Sequence, residues 1–178
     1  VFHKNGKQSM FVQAIYESKA RARITENTIG QIKTTALPNN VAHAVTSILY
    51  YDNWRFLQVV EGRPAQVVET MKQITTNPIH HSVKLRLMSR QSARGFGSWP
   101  LGILSVEDFE LRRTLKNMGY RNLFQLNVLD AVKVIKRTTG RKLRTMDSLE
   151  KRALTDLNLL KKVEHSPNLT EQILGLRG

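Results

Sequence analysis

Along the first hundred residues the apolar positions switch between a period of two and a period near 3.6, the mark of strands interleaved with helices. Phe11, Val12, Ala14, Ile15 and Tyr16 form a compact apolar run within Met10 to Glu17, which predicts a strand. Ile24, Ile29, Ile32 and Leu37 carry a helical spacing, with Thr25 or Asn27 as caps and Pro38 as the stop. Two β-branched and aromatic runs follow, Ala42 to Tyr51 and Arg55 to Val60, and Asp52-Asn53-Trp54 between them reads as a hairpin turn. Pro64 opens a second helix with apolar residues at Val67, Val68, Met71 and Ile74, ending within Thr75 to Pro78. Val83, Leu85 and Leu87 alternate with Lys84, Arg86 and Met88 as a half-buried strand, and Trp99 to Leu104 gives a last apolar run. The order is β-α-β-β-α-β-β, an α+β ferredoxin-like core with one strand added.

From Ser105 onward the pattern is helical. Ser105 and Asp108 carry a capping signature, Phe109, Leu111 and Leu115 follow, and Gly119 closes the segment. Asn122 to Thr139 and Asp147 to Glu164 predict two further amphipathic helices. The chain therefore divides into an arm over residues 1–9, a core over 10–104 and a basic helical extension over 105–178.

Charge adds a second theme. Across 178 residues, 28 Lys and Arg stand against 14 Asp and Glu, a formal +14 with a pI near 10.5. Such an excess repels itself unless a polyanion or an acidic partner offsets it. Lys133, Lys136, Arg137, Arg141, Lys142 and Arg144 form one basic run without an acid, and Lys84, Arg86, Arg90 and Arg94 form a second cluster on the last strands. Little aromatic character is interleaved with them, which favours contact with the backbone of folded RNA over base stacking. Beginning on Val1 in a basic chain without a secretory apolar stretch fits loss of a mitochondrial transit peptide, which points to the matrix side.

Several chemistries lose support. The sequence has no cysteine, and its five histidines form no H-x-x-x-H pair, so metal ligands are not predicted. No phosphate loop, dinucleotide fingerprint or nucleophile elbow occurs, and no catalytic residue emerges. No apolar run is long enough to span a bilayer.

The text of the core is more specific than its order of elements. Gln13-Ala14-Ile15-Tyr16-Glu17-Ser18, Asn39-Asn40, Phe56-Leu57-Gln58-Val59-Val60-Glu61-Gly62, His80 with Val83, and Arg94-Gly95-Phe96-Gly97-Ser98-Trp99 resemble five ordered landmarks of BLUF domains, the flavin-holding modules that sense blue light. The resemblance covers about residues 10 to 104. It implies that Tyr16 and Gln58 form a hydrogen-bond network with the flavin, and that Asn40 bonds the ring, with Asn39 and Trp99 nearby if flavin is bound. The chain also departs from the family. Asn77-Pro78-Ile79 stand where acidic and basic residues usually precede His80, Thr46-Ser47 replace Thr-Gly, and Leu101 replaces a Met. The bland account of Tyr16 and Gln58 is a core pair satisfied within the protein, of Trp99 a packing residue, and of His80-His81 a solvated strand entrance.

Together these readings predict a degenerate BLUF-like fold that has lost its cofactor. It would serve as a non-catalytic subunit of a large mitochondrial assembly, first a ribosomal or rRNA-associated protein, or else an accessory subunit of ATP synthase or a respiratory complex. Its partners would be other protein subunits and rRNA, with no small-molecule substrate. The alternative from another class is a blue-light receptor holding FAD or FMN, with the extension as its output or dimerisation cap.

Overall fold

The computed structural model describes residues 11–97 and 99–140. The chain divides into two compact units, Val1–Thr139 and Gly140–Gly178; the fold below is that of the first. Strand β1 (Phe11–Ala20), helix α1 (Glu26–Ala42), strands β2 (Thr46–Tyr51) and β3 (Arg55–Gly62), helix α2 (Pro64–Thr76), and strands β4 (His80–Gln91) and β5 (Gly102–Ser105) follow in order. Helix α3 (Phe109–Asn117), a 3-10 turn at Leu123–Gln125 and helix α4 (residues 128–140) complete it. The five strands form one sheet in the order β4-β1-β3-β2-β5, all neighbours antiparallel except β2 and β5. This is the predicted ferredoxin-like order with a parallel strand added at one edge.

Helices cover both faces of the sheet. Val12, Ala14, Tyr16 and Val60 pack with Val67 of α2, and Ala20, Leu49 and Phe56 pack with Ile29 and Ile32 of α1. On the other face Ile15, Ile48, Tyr50, Leu57 and Val59 meet Leu111 and Leu115 of α3 and Ala131, Val132 and Ile135 of α4. The three inner strands are thus buried on both sides, which is why β1, β2 and β3 read as nearly continuous apolar runs and not as alternations.

Local signals set several boundaries. Thr25 caps α1 in a reciprocal pair with Thr28, Pro64 occupies the first turn of α2, and the Asp108 carboxylate accepts from Leu111 N at 3.1 Å to cap α3. Asp52 Oδ1 accepts from Trp54 N and Arg55 N, both at 2.8 Å, closing the hairpin between β2 and β3.

Four boundaries differ from the sequence reading. Helix α1 continues through Pro38 to Ala42; the backbone bond lost at a proline is outweighed by its last turn, where buried Asn40 is anchored by two side-chain bonds. The residues before Thr46 therefore belong to helix and turn, with Ala44 at a φ of +50°. In β4 a bulge at the Ile15/Tyr16 register step puts Leu85 opposite Tyr16 and Leu87 opposite Ile15, on opposite faces, and leaves Leu85 52% exposed. The stretch 122–139 is a 3-10 turn followed by a shorter helix; at its start Gln125 Oε1 accepts from Arg121 N at 2.7 Å and Asn122 N at 3.3 Å. The arm over 1–9 and the predicted helix over 147–164 lie outside the described residues. Among the described residues no helix is long and apolar enough to cross a membrane.

Gly102 begins β5 where the sheet meets Trp99. A Cβ there would strike Ile48 Cδ1 and stand 2.6 Å from the Trp99 ring. Gly102→Ala is therefore expected to lower the unfolding free energy by ~1–3 kcal/mol through overpacking. Urea unfolding measures it, and an unchanged midpoint would contradict the packing described.

Candidate functional site

On the face of the sheet covered by α1 and α2, Tyr16 and Gln58 form a polar pair in the middle of a largely apolar floor. Tyr16 and Gln58 stand directly opposite each other in the β1–β3 ladder, and Gln58 also faces Leu49 of β2. The Tyr16 hydroxyl donates to Gln58 Oε1. Burial pushes the Tyr16 pKa far up, so the hydroxyl keeps its proton and remains a donor. With its oxygen engaged, Gln58 leaves its amide Nε2 group without a side-chain partner among the described residues.

Asn40 reaches the same region from the end of α1. Its Nδ2 donates to Ser47 Oγ at 3.1 Å and to the Pro100 carbonyl at 2.7 Å, and Ser47 Oγ donates to that carbonyl at 3.1 Å. Both amide hydrogens are thereby used, so Oδ1 is the end of the side chain left to accept. Ser47, where the family carries Gly, is part of this anchor.

A cavity of about 80 Å³ lies between the two helices, lined by Ile32, Asn39, Asn40, Leu49, Gln58, Thr70, Ile74 and His80, with other uncharged side chains at its margin. The hydroxyl of Thr70 is buried and has no hydrogen-bond partner among the described residues. An unmet buried hydroxyl costs about 1–3 kcal/mol, which a polar ligand edge or a water would relieve. Apolar walls with amide groups at the edges suit a flat heterocycle carrying amide-like donors and acceptors, as an isoalloxazine does. Its volume is small beside the roughly 300–1,000 Å³ of ordinary ligand sites. A ring of that size enters only if the helices separate. Both walls are lightly seated, α1 by Ile29, Ile32 and Asn40 and α2 by Val67 and Thr70 as buried residues, so little packing opposes their separation.

Sequence reasoning placed His80 at a solvated strand entrance, and the structure corrects this. His80 is 6% exposed, pairs through Nδ1 with Ser18 Oγ at 2.9 Å, and packs its ring 4.7 Å from that of Phe56 and 6.3 Å from that of Tyr16. A bulge in β4 turns it inward. Trp99 takes its packing reading: its ring packs with the cluster of Ile48 and Leu104 on the opposite face, and it is not among the residues lining the cavity. Leu101 joins the cluster of Leu49 and Phe56 on the α1 side. Thr70 and Gln73 were missed, since a polar residue on an amphipathic helix looks the same in sequence whether it faces solvent or a cavity; Asn77, noted in sequence only as a departure from the family, also lines the cavity.

The second basic cluster is dispersed. Arg94 donates to Thr46 Oγ1, the Glu61 carbonyl and the Ala44 carbonyl, so its guanidinium holds the turn before β5. Arg86 pairs with Glu17 at 3.4 Å, whereas Lys84 and Arg90 are exposed on β4. On α4, Lys133 pairs with Asp130 at 2.9 Å, Lys136 lies 5.6 Å from the Phe96 ring centre, and Arg137 is exposed. Arg141, Lys142 and Arg144 lie outside the described residues.

Comparison with known proteins bears on these readings. Residues 11–102 match the family described as BLUF, sensors of blue-light using FAD. Solved structures sharing the fold include the dark-state structure of BlrB, a BLUF protein, with a TM-score of 0.65 at 24% identity, covering 76% of this chain and 98% of that one. The photo-activated state of BlsA gives 0.61 at 20% identity over 72% and 94% of the two chains. Klebsiella pneumoniae BlrP1 with FMN and cyclic diGMP gives 0.56 at 20% identity over 74% and 36%. No curated protein sequence matches. The family match, over more than half of the chain, overturns the expected structural subunit of a mitochondrial assembly, with its ribosomal and RNA-binding roles, in favour of the flavin-binding alternative. Charge misled because it constrains solubility and partners, not fold.

The buried histidine generates a pH dependence. Burial lowers the His80 pKa from 6.5 to about 4, so between those values the unfolded chain binds the extra proton and stability rises with pH. The contribution is complete above pH 6.5 and is lost as pH falls toward 4, a drop of about 3 kcal/mol. Unfolding free energies from pH 7 to 4 are expected to show this loss, and His80→Gln to flatten it; an equal slope in the variant would refute the assignment.

Proposed function

The chain belongs to the BLUF family of blue-light sensors, and on that premise we propose that it holds a flavin between α1 and α2 and answers light through Tyr16 and Gln58. The observation that carries this reading is the Tyr16–Gln58 hydrogen bond on the floor of an uncharged cavity. Ile32, Leu49 and Ile74 would face the ring, with Asn40 Oδ1 and the Gln58 amide at its polar edges.

A bound flavin supplies absorption of blue light and a ring that accepts electrons strongly once excited. The residues supply a hydrogen-bond arrangement with two settings. Gln58 carries an acceptor and a donor end, and a tyrosine hydroxyl pairs with either, so rotating the amide by half a turn exchanges the group offered to a ligand while keeping the Tyr16 bond. His80, held neutral by burial, adds no charge to this network. The proposed role is sensory and not catalytic.

Purified chain incubated with FAD, FMN or riboflavin is expected to retain flavin through gel filtration and to show a reversible change in the visible spectrum after blue light. Tyr16→Phe and Gln58→Leu should keep the flavin and abolish that change. A protein that retains none of the three flavins would sink the reading. Among the described residues no Lys or Arg lines the cavity, so riboflavin should bind within about tenfold of FAD, the factor that one charge-assisted phosphate bond of ~1.5 kcal/mol would exceed. Titration by flavin fluorescence quenching measures the ratio.

A further inference from the structure

Helix α3 divides its residues between two tasks. Leu111 and Leu115 are fully buried against the sheet, whereas Phe109, Arg112, Arg113 and Lys116 recur at helical spacing on the exposed side. Gly119, at a φ of +81°, then reverses the chain: Gly119 N donates to the Lys116 carbonyl at 3.0 Å and Tyr120 N to the Leu115 carbonyl at 2.9 Å, the double closure that ends a helix on a left-handed residue. The reversal brings Tyr120 and Arg121 back beside the last turn. Together with Phe109, Arg112, Arg113 and Lys116 they bound a groove of about 790 Å³.

We propose that this groove is a binding site for a free nucleotide, a ligand that joins phosphate to a flat aromatic base. Four cations line it against the lining carboxylate of Glu107, with Glu110 paired to Arg113 beside it, so cations outnumber acids there by two. Two of the cations are held loosely. Arg112 bonds Glu107 at 2.9 Å across an exposed surface, and such pairs are worth about 1 kcal/mol or less, so a phosphate competes readily for the guanidinium. Arg113 is placed likewise with Glu110. Lys116 suits the helix C-terminus electrostatically, but Arg121 lies past the helix end, where that account does not reach. The aromatic rings need their own explanation. Phe109 is 72% exposed and Tyr120 38%, two ring faces among the cations where base stacking contributes about 1–3 kcal/mol. The volume lies within the roughly 300–1,000 Å³ of small-ligand sites. An extended acidic protein surface would want a flat field of charge, not a pocket of this size with rings inside it.

The site lies on the face of the sheet opposite the flavin cavity, and its test does not require flavin. ADP and GDP are titrated calorimetrically into the full chain, with adenosine and pyrophosphate as the two halves. The proposal expects saturable nucleotide binding, each half at least about tenfold weaker, and losses of at least about tenfold in Arg121→Glu and Phe109→Ser, both at exposed positions with unchanged urea midpoints. Absence of saturable binding would overturn it. So would pyrophosphate binding as tightly as ADP, which leaves the rings without a role, or a single-stranded oligonucleotide binding more tightly than the mononucleotide, which marks a polyanion surface. Persistence of nucleotide binding in a chain that takes up no flavin would separate the two readings.

Discussion

A slip of one residue in an antiparallel ladder exchanges the two faces of a strand, and β3 is buried on both. Its register against β1, which sets Gln58 opposite Tyr16, therefore organises two cores at once. Leu57 and Val59 are directed to the layer of α3 and α4, while Phe56 and Val60 are directed to α1 and α2. A polar pair in the middle of such a strand must be satisfied inside the protein. The Tyr16 hydroxyl meets Gln58 Oε1 only in this register, so the bond that defines the cavity floor also selects the pairing from which both layers are built.

The far end of the same strand is fixed by a buried carboxylate. Glu61 accepts from Gln13 Nε2 at 2.7 Å through one oxygen, and from Gly95 N at 2.8 Å and Phe96 N at 3.1 Å through the other. Three donors compensate a charge that burial would otherwise penalise. They also hold the turn that carries Phe96 into the core and leads to the Pro100 carbonyl, the acceptor that orients Asn40. The geometry of the cavity edge is thus set from β3 at both ends. Because Leu57 and Val59 flank Gln58 along the chain and pack in the cluster containing Leu111 and Leu115, a change in Gln58 lies one residue from the contacts that seat α3.

Charge plays a smaller part in the architecture than its total suggests. Arg94 is spent on backbone and hydroxyl oxygens, and several other cations are paired with acids at the surface. Exposed pairs of this kind add little to stability. What charge does shape is local, as in the cations that rim the groove of α3.

The order of elements was legible in the sequence because apolar periodicity, Thr25, Pro64, Asp108 and Gly119 act locally, through hydrogen bonds and dihedral preferences that need no distant partner. The identities of Tyr16, Asn40 and Gln58 were legible as well, through their resemblance to known landmarks. Tertiary structure alone decided the rest. Pro38 signals a helix end, yet a bond from Asn40 to a carbonyl sixty residues away carries the helix past it. His80 looks like surface, yet a bulge in β4 turns it into the core. Trp99 follows a family landmark, yet the empty side of Gly102 receives its ring on the other face. Each of these depends on contacts between residues remote in sequence, whose energies no local pattern records.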